Sequence, residues 1–345
     1  MKELIILILT FHVITCKSIK KNLIIGAIGN LSWKKLKPFF YSLYKANFQQ
    51  YECVMFVINV SNHTIYKLKS IGVKIFQFPK KYYGMKINNV RYKLYEEYLR
   101  DKLDKYNIVL HVDVRDTFFQ REFFQIYNKK GPFIGFALED ENITEKVNGE
   151  WMMNQYGLKI YEEIKYEKAI CSGTIWGTVD KFYDLVQNIW EEIIIKSPYN
   201  KSIHDQTATN YIIYHKKMFK DFIITTDNYK GDILSLGEAQ NRSLYYDFED
   251  NVLDYSGKIK VAVVHQYDRI PELIKKVQKK FSSEKDDNFK LNSVIEYNPN
   301  NINVNKISFF LIIMILSLIM VFVIKLYKNL YYMKNIKNEK KHFLT

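Results

Sequence analysis

The stretch NIVLHVDVRDTFFQ, residues 107–120, decides how the rest of the chain reads. Ile108 to Val112 is a largely apolar run of strand length, and Asp113-Val114-Arg115-Asp116 stands at its carboxyl end. Strands that are apolar along their length, rather than at alternate positions, are buried on both faces, which is the habit of parallel sheets. In an extended strand Asp113 and Arg115 share a face and Asp116 points away. In a β-turn, residues i and i+3 come within about 7 Å, and Asp113 and Asp116 then converge as hard oxygen ligands suited to Mn2+ or Mg2+. The same four residues also suit a surface turn capped by Asp, with Arg115 pairing a neighbour.

Working outward, strand-length apolar runs alternate with helical periodicity. Leu23 to Ile28 precedes Trp33, Leu36, Phe40, Leu43 and Tyr44; Cys53 to Ile58 precedes Ile65 to Leu68; Val73 to Phe78 precedes Val90, Leu94 and Leu103. Beyond the motif come a strand from Ala169 to Gly177, helices from Val179 to Ile195 and from Ser202 to Tyr214, and a strand Val261 to Val264 ending in His265. This alternation predicts an α/β fold, a mostly parallel, Rossmann-like sheet flanked by helices. Ligands of such sheets bind beyond the carboxyl ends of the strands, where the Asp113 motif lies.

The ends of the chain read differently. Leu4 to Ile14 is a short apolar run behind Lys2, followed by Thr15, Cys16 and Ser18, the layout of a signal peptide over residues 1–18. Ile307 to Ile324 is uncharged, bracketed by Lys306 and Lys325, and long enough for about 27 Å of helix, which predicts a C-terminal transmembrane helix. Lys325, Lys328, Lys334, Lys337, Lys340 and Lys341 follow against a single Glu339, so the tail, 325–345, is expected in the cytoplasm. The expected layout is a lumenal domain over 19–276, a polar stem over 277–306 and a single-pass type I anchor at 307–324. That places the chain in a secretory-pathway membrane, endoplasmic reticulum or Golgi. Asn-x-Ser/Thr sequons at Asn30, Asn59, Asn62, Asn142, Asn200 and Asn241 agree with a lumenal domain.

The net charge of +14 would suit a nucleic-acid partner, but six of the lysines belong to the tail. The remaining charges are scattered without a basic helix or an Arg-rich block, which argues against nucleic acid and leaves an anionic small substrate as the better fit. Cys53 and Cys171 each sit in an apolar strand-like run and read as buried packing or as one disulfide; neither has zinc-site spacing.

Six short segments, in order, carry a resemblance: Ile24 to Asn30, Arg91 to Leu99, HVDVRDTFFQ from His111, ICSGTIWGT from Ile170, HDQTATNYII from His204 and VVHQYDR from Val263. Together they span roughly residues 22 to 270, and the chain resembles the GT-A-fold nucleotide-sugar glycosyltransferases, in particular glycogenin-like and related hexosyltransferases. The resemblance implies transfer of a hexose from a nucleotide-diphosphate sugar to a glycan or glycoprotein acceptor, with a divalent cation, Mn2+ or Mg2+. It puts Asp113 at the start of the Asp-x-Asp motif and, with Asp116 and His265, at the metal. Ala27, Arg91, Asp113, Arg115, Ser172 and Gly173 fall to the donor, and Asp205 and Gln206 to the reacting carbon.

The sequence departs from the pattern at Arg115, where the second Asp of the motif belongs. Either Asp116 takes over as ligand, or the guanidinium replaces part of the cation's charge, since Arg can hold a diphosphate bidentately. Local alternatives stand beside each assignment. Arg91 could pair Glu96 or Glu97, Asp205 could cap a helix, Ser172-Gly173 could mark a close backbone approach, and His204 suits a hydrogen-bonding role better than ligation. Tyr267 could stack on an acceptor sugar. From other classes, a catalytically inactive glycan-binding or receptor domain would keep the fold, and an aspartate-based phosphatase would need a carboxylate at position 115.

Overall fold

The computed structural model describes residues 20–128, 131–144, 146–196, 203–237, 243–282 and 289–291. The chain divides into two compact units, 1–294 and 295–345, and the second lies wholly outside the described residues. So does the expected signal peptide.

The elements follow the apolar pattern. Strand β1 (Lys21–Gly29) leads to helix α1 (Trp33–Lys45), β2 (Tyr51–Ile58) to α2 (Asn62–Ser70), and β3 (Lys74–Gln77) to α3 (Ile87–Leu99). Next come β4 (Tyr106–Val112), β5 (Thr117–Phe119), β6 (Ile134–Asn142), α4 (Lys146–Tyr156) and α5 (Leu158–Ile164). Strand β7 (Lys168–Thr178) runs straight into α6 (Val179–Lys196), and the short helix α7 (Asp205–Asn210) continues as a π-turn over Tyr211–His215. Strands β8 (Ile223–Thr226), β9 (Ile233–Ser235) and β10 (Val263–His265) and helix α8 (Pro271–Phe281) complete the unit.

Seven strands form one sheet in the order β3-β2-β1-β4-β7-β6-β8, and β5-β10-β9 form a second, smaller one. Four of the six pairings in the large sheet are parallel; β7 alone runs against both its neighbours, β4 and β6. Burial on both faces explains the unbroken apolar strands. Leu23 and Ile25 of β1 enter the core under α3 and α6, while Ile24 and Ile28 enter the opposite core with Leu36 and Phe40 of α1 and Leu273 and Val277 of α8. Helix α8 runs through position 277, where the polar stem was expected to begin, and Phe289 still packs at 5.3 Å from the rings of both Tyr41 and Tyr44.

The membrane part of the expected architecture is corrected. Among the described residues no helix is long and apolar enough to cross a membrane. The longest of them, α6, has 18 residues but carries Asp180, Lys181, Asp184, Glu191 and Glu192 along its length, charges that a bilayer core would not accept. The run from Ile307 to Ile324 lies outside the described residues, so the fold reduces to the α/β unit, and the single-pass secretory-membrane location is withdrawn with the anchor. Cys53 and Cys171 are both buried and free, which matches the packing role.

Candidate active site

The site forms where β4 ends and the chain turns into the small sheet. Antiparallel pairing of β5 with β10 sets Thr117 opposite His265, so the imidazole arrives beside Asp116. On the other side the Asp113 amide donates to the Gly173 carbonyl at 2.8 Å, continuing the antiparallel β4–β7 ladder beyond Val112 and Thr174. Asp113, Asp116 and His265 each offer a ligand atom, and these lie within 4.8 Å of one another. Gly173 makes room for them: a Cβ there would stand 2.6 Å from His265 Nε2 and 2.7 Å from Asp113 Oδ2.

A cation fits this donor set. His265 Nε2 lies 3.8 Å from Asp113 Oδ2 and 3.8 Å from Asp116 Oδ1, too far for hydrogen bonds, and both Nε2 and Asp116 Oδ1 are buried without a partner. Such atoms are costly to leave unsatisfied, and two carboxylates with one imidazole suit a divalent ion. Asp113 keeps 33% of its side chain exposed, which leaves an approach from solvent. Arg115 takes the outer oxygen of Asp116 at 3.0 Å and Asp268 at 3.2 Å, well exposed itself, so it orients Asp116 and leaves the inner oxygen free of it.

Arg91 organises the other flank. Buried on α3, it meets Asp113 Oδ1, donates to the Ser172 carbonyl at 3.1 Å and pairs Asp205 Oδ2 at 2.6 Å. Tyr92 donates to the same Asp205 oxygen at 3.0 Å. Glu96 is engaged by Lys93 and Arg100, and Glu97 by Lys81, so neither is the partner of Arg91. Asp205 is the first residue of α7 behind the N-cap His204, and its side chain faces Arg91 and Tyr92 rather than capping the helix.

Burial opposes charge throughout this cluster, and the neighbours decide the outcome. It works against ionisation of Asp113, but Arg91 and His265 overrule it and hold the carboxyl well below the usual range. Asp116 is raised, because burial and the nearby Asp113 outweigh His265 and Arg115. Burial alone would depress His265, but the contact with Cys171 and the facing Asp113 and Asp116 carry it well above the ordinary value. Cys171 Sγ sits 3.4 Å from the outer ring nitrogen, Nδ1.

Gln206, next to Asp205, donates from Nε2 to Asn148 Oδ1 at 2.9 Å and to Glu139 Oε1 at 3.3 Å, while its Oε1 lies 3.5 Å from the Ser172 amide. Of the residues expected here, Arg91, Asp113, Asp116, Ser172, Gly173, Asp205, Gln206 and His265 come together. Ala27 sits near the same end of neighbouring β1, two residues beyond Ile25, which pairs His111. Tyr267 is buried edge-on against Phe118 at 5.7 Å and offers no stacking face to a sugar. His204 stacks on Trp151 at 3.9 Å. Glu139, Asn148 and Tyr92 were not anticipated; the run PFIGFALE, 132–139, carries a readable strand signal that ends on Glu139.

No protein-family model and no curated protein matches the chain. Among solved structures, the galactosyltransferase LgtC in complex with donor and acceptor sugar analogues superposes with a TM-score of 0.50 at 14% identity, over 76% of this chain and 96% of that one. An active-site mutant of LgtC matches with a TM-score of 0.46 at 14% identity, over 70% of this chain and 86% of that one. The described unit thus has the fold of the GT-A nucleotide-sugar glycosyltransferases.

Proposed function

We propose that the chain transfers a hexose from a nucleotide-diphosphate sugar to a glycan or glycoprotein acceptor, using Mn2+ or Mg2+ held by Asp113, Asp116 and His265. The observation that carries this is the pair of unpartnered buried atoms, His265 Nε2 and Asp116 Oδ1, facing Asp113 at the carboxyl end of β4. When bound, the cation supplies positive charge to the diphosphate leaving group as the glycosidic bond breaks. Arg91 fixes the spacing between Asp113 and Asp205, so that one carboxylate serves the metal and the other faces the sugar. Asp205, buried and held by Arg91 and Tyr92, acts as base, nucleophile or stabiliser of the oxocarbenium-like centre. Ala27, Ser172 and Gly173 line the donor side, and Arg115 serves it through Asp116.

The test is a panel of UDP- and GDP-sugars on the purified full-length chain, with and without Mn2+, scoring nucleotide release and sugar transfer. Turnover of one donor, stimulated by the metal, is expected. Binding of a nucleotide sugar without turnover under every condition would replace the enzyme with an inactive glycan-binding domain of the same fold.

A further inference from the structure

Gln206 does not hold its own orientation. Its Nε2 points at Asn148 Oδ1, 2.9 Å, and at Glu139 Oε1, 3.3 Å, and Asn148 Nδ2 in turn donates to Glu139 Oε2 at 3.2 Å. The three side chains close a ring in which Glu139 is the one group that only accepts. That asymmetry fixes both amides. Turning Asn148 over would set its oxygen against the carboxylate and its NH2 against the NH2 of Gln206. Turning Gln206 over would bring its oxygen against the Glu139 carboxylate, and against the Asn148 oxygen as well. Among these three side chains and the Ser172 amide, one arrangement sets donors against acceptors, and in it the Ser172 N–H donates to Gln206 Oε1 at 3.5 Å, at the edge of the site.

The ring is braced from outside the sheet. Asn148, Trp151 and Gln155 recur at helical spacing along α4 and share one face. All three engage the segment 204–206: Asn148 through Gln206, Trp151 by stacking on His204 at 3.9 Å and 6°, and Gln155 by accepting from the His204 amide at 3.1 Å. Glu139 comes from β6, beside Gly237, whose added Cβ would lie 3.5 Å from its carboxyl carbon. Two elements without any assigned role therefore meet on one amide.

We propose that Glu139 and Asn148 are positioning residues that lock the Gln206 carbonyl oxygen, rather than its NH2, toward the reacting sugar, an assignment that rests on the transferase function proposed above. A carbonyl oxygen there presents partial negative charge to a centre that becomes positive and accepts from a sugar hydroxyl; an NH2 would do neither.

The experiment compares the parent with Glu139→Gln, Asn148→Asp and the double variant. Glu139→Gln keeps the shape but replaces the acceptor-only group with another reversible amide. It should lower kcat roughly 10- to 100-fold, the scale of a misplaced reacting group, with KM for the donor and Tm nearly unchanged. In the double variant the carboxylate now carried at position 148 is the acceptor-only group. It accepts from Gln206 and from the new amide at position 139, so kcat should recover most of the loss. Parent-like kcat in Glu139→Gln, or a double variant no better than that single, would overturn the assignment. A second readout needs no turnover: the side-chain amide protons of Gln206, identified by their absence in Gln206→Glu. They should exchange slowly as two resolved signals in the parent and lose that protection in Glu139→Gln. Unaltered protection overturns the lock, whereas a parent that turns over no nucleotide sugar, with protection still lost in Glu139→Gln, overturns the transferase function alone.

Discussion

Strand β4 has a buried acidic cluster near each end, and the two are completed differently. Near its amino end Glu52 of β2 receives Tyr106 OH at 2.5 Å, Lys105 at 2.8 Å, Tyr98 OH at 3.2 Å and Lys74 at 2.9 Å, so both carboxylate oxygens are bonded. Beyond its carboxyl end Asp116 Oδ1 and His265 Nε2 are equally buried and have no partner. A buried polar atom left unpaired costs about 1–3 kcal/mol, so two such atoms facing each other call for a ligand that the amino-end cluster does not need. The closed cluster ties strands together; the open one has the incompleteness of a site that waits for a ligand. The two clusters should therefore answer mutation in opposite ways.

The largest effect is expected at Asp205. Asp205→Asn keeps an oxygen for Arg91 and Tyr92 and removes the charge, so transfer per folded molecule should fall on the order of 10² to 10⁴, a loss far larger than any the lowered Tm from the weakened Arg91 pair accounts for. Parent-like turnover would place the catalytic carboxylate elsewhere. His265→Ala comes next. It removes one of the three groups of the donor set, so metal-stimulated turnover per folded molecule should fall on the order of 10²- to 10³-fold. Undiminished metal stimulation in the folded variant would make His265 a structural residue like Glu52. Asp113→Ala is the poorer probe, because it also strips Arg91 of one of its two carboxylates. Gly173→Ala attacks the gap itself: its Cβ would stand 2.5 Å from His265 Cε1, and the ring must move off the metal position. Calorimetric titration with Mn2+ should show affinity weakened about tenfold or more, the scale of disturbed ligand orientation, and unchanged affinity would place the cation elsewhere.

The sequence carried the large sheet well and the site unevenly, for physical reasons. Strands buried on both faces announce themselves as unbroken apolar runs, so β1, β2, β4 and β7 were readable, as was the motif at the end of β4. Three-residue strands such as β5 and β9 have too little sequence to show a period, yet β5–β10 pairing is what delivers His265 to Asp116. Arg91 illustrates the limit. Its helix was visible, but its partners Asp113 and Asp205 lie 22 and 114 residues away, and charge pairs over such separations follow from topology rather than local pattern. At the displaced motif position the turn directs Arg115 to Asp116 Oδ2 and Asp268, and leaves Asp116 Oδ1 facing His265. Glu139 ends a readable strand run, but neither it nor Asn148 signals a role, since hydrogen-bonding residues in a strand end and on a polar helix face look like solvated surface.

The smallest expected effect belongs to the closed cluster and tests the comparison from its other side. Burial pushes the Glu52 carboxyl up, but Lys105, Tyr106 and Lys74 overrule it and bring it from 4.5 down to about 2. A carboxyl whose folded value lies below its unfolded one contributes stability that is fully present above the unfolded value and is lost as pH falls toward the folded one. The stabilisation should therefore be complete at neutral pH and disappear between about 4.5 and 2. Glu52→Gln keeps the shape and loses the charge facing two lysines, which should cost about 1–3 kcal/mol at pH 7, or roughly 2–10 °C in Tm, with turnover per folded molecule unchanged. Thermal melts of parent and variant across the acid range then separate two outcomes. If Glu52 acts through its charge, the gap in Tm narrows as pH drops through that window and closes near its lower edge. If the gap is the same at every pH, or if turnover falls while Tm holds, the amino-end cluster is not the purely structural counterpart of the open site.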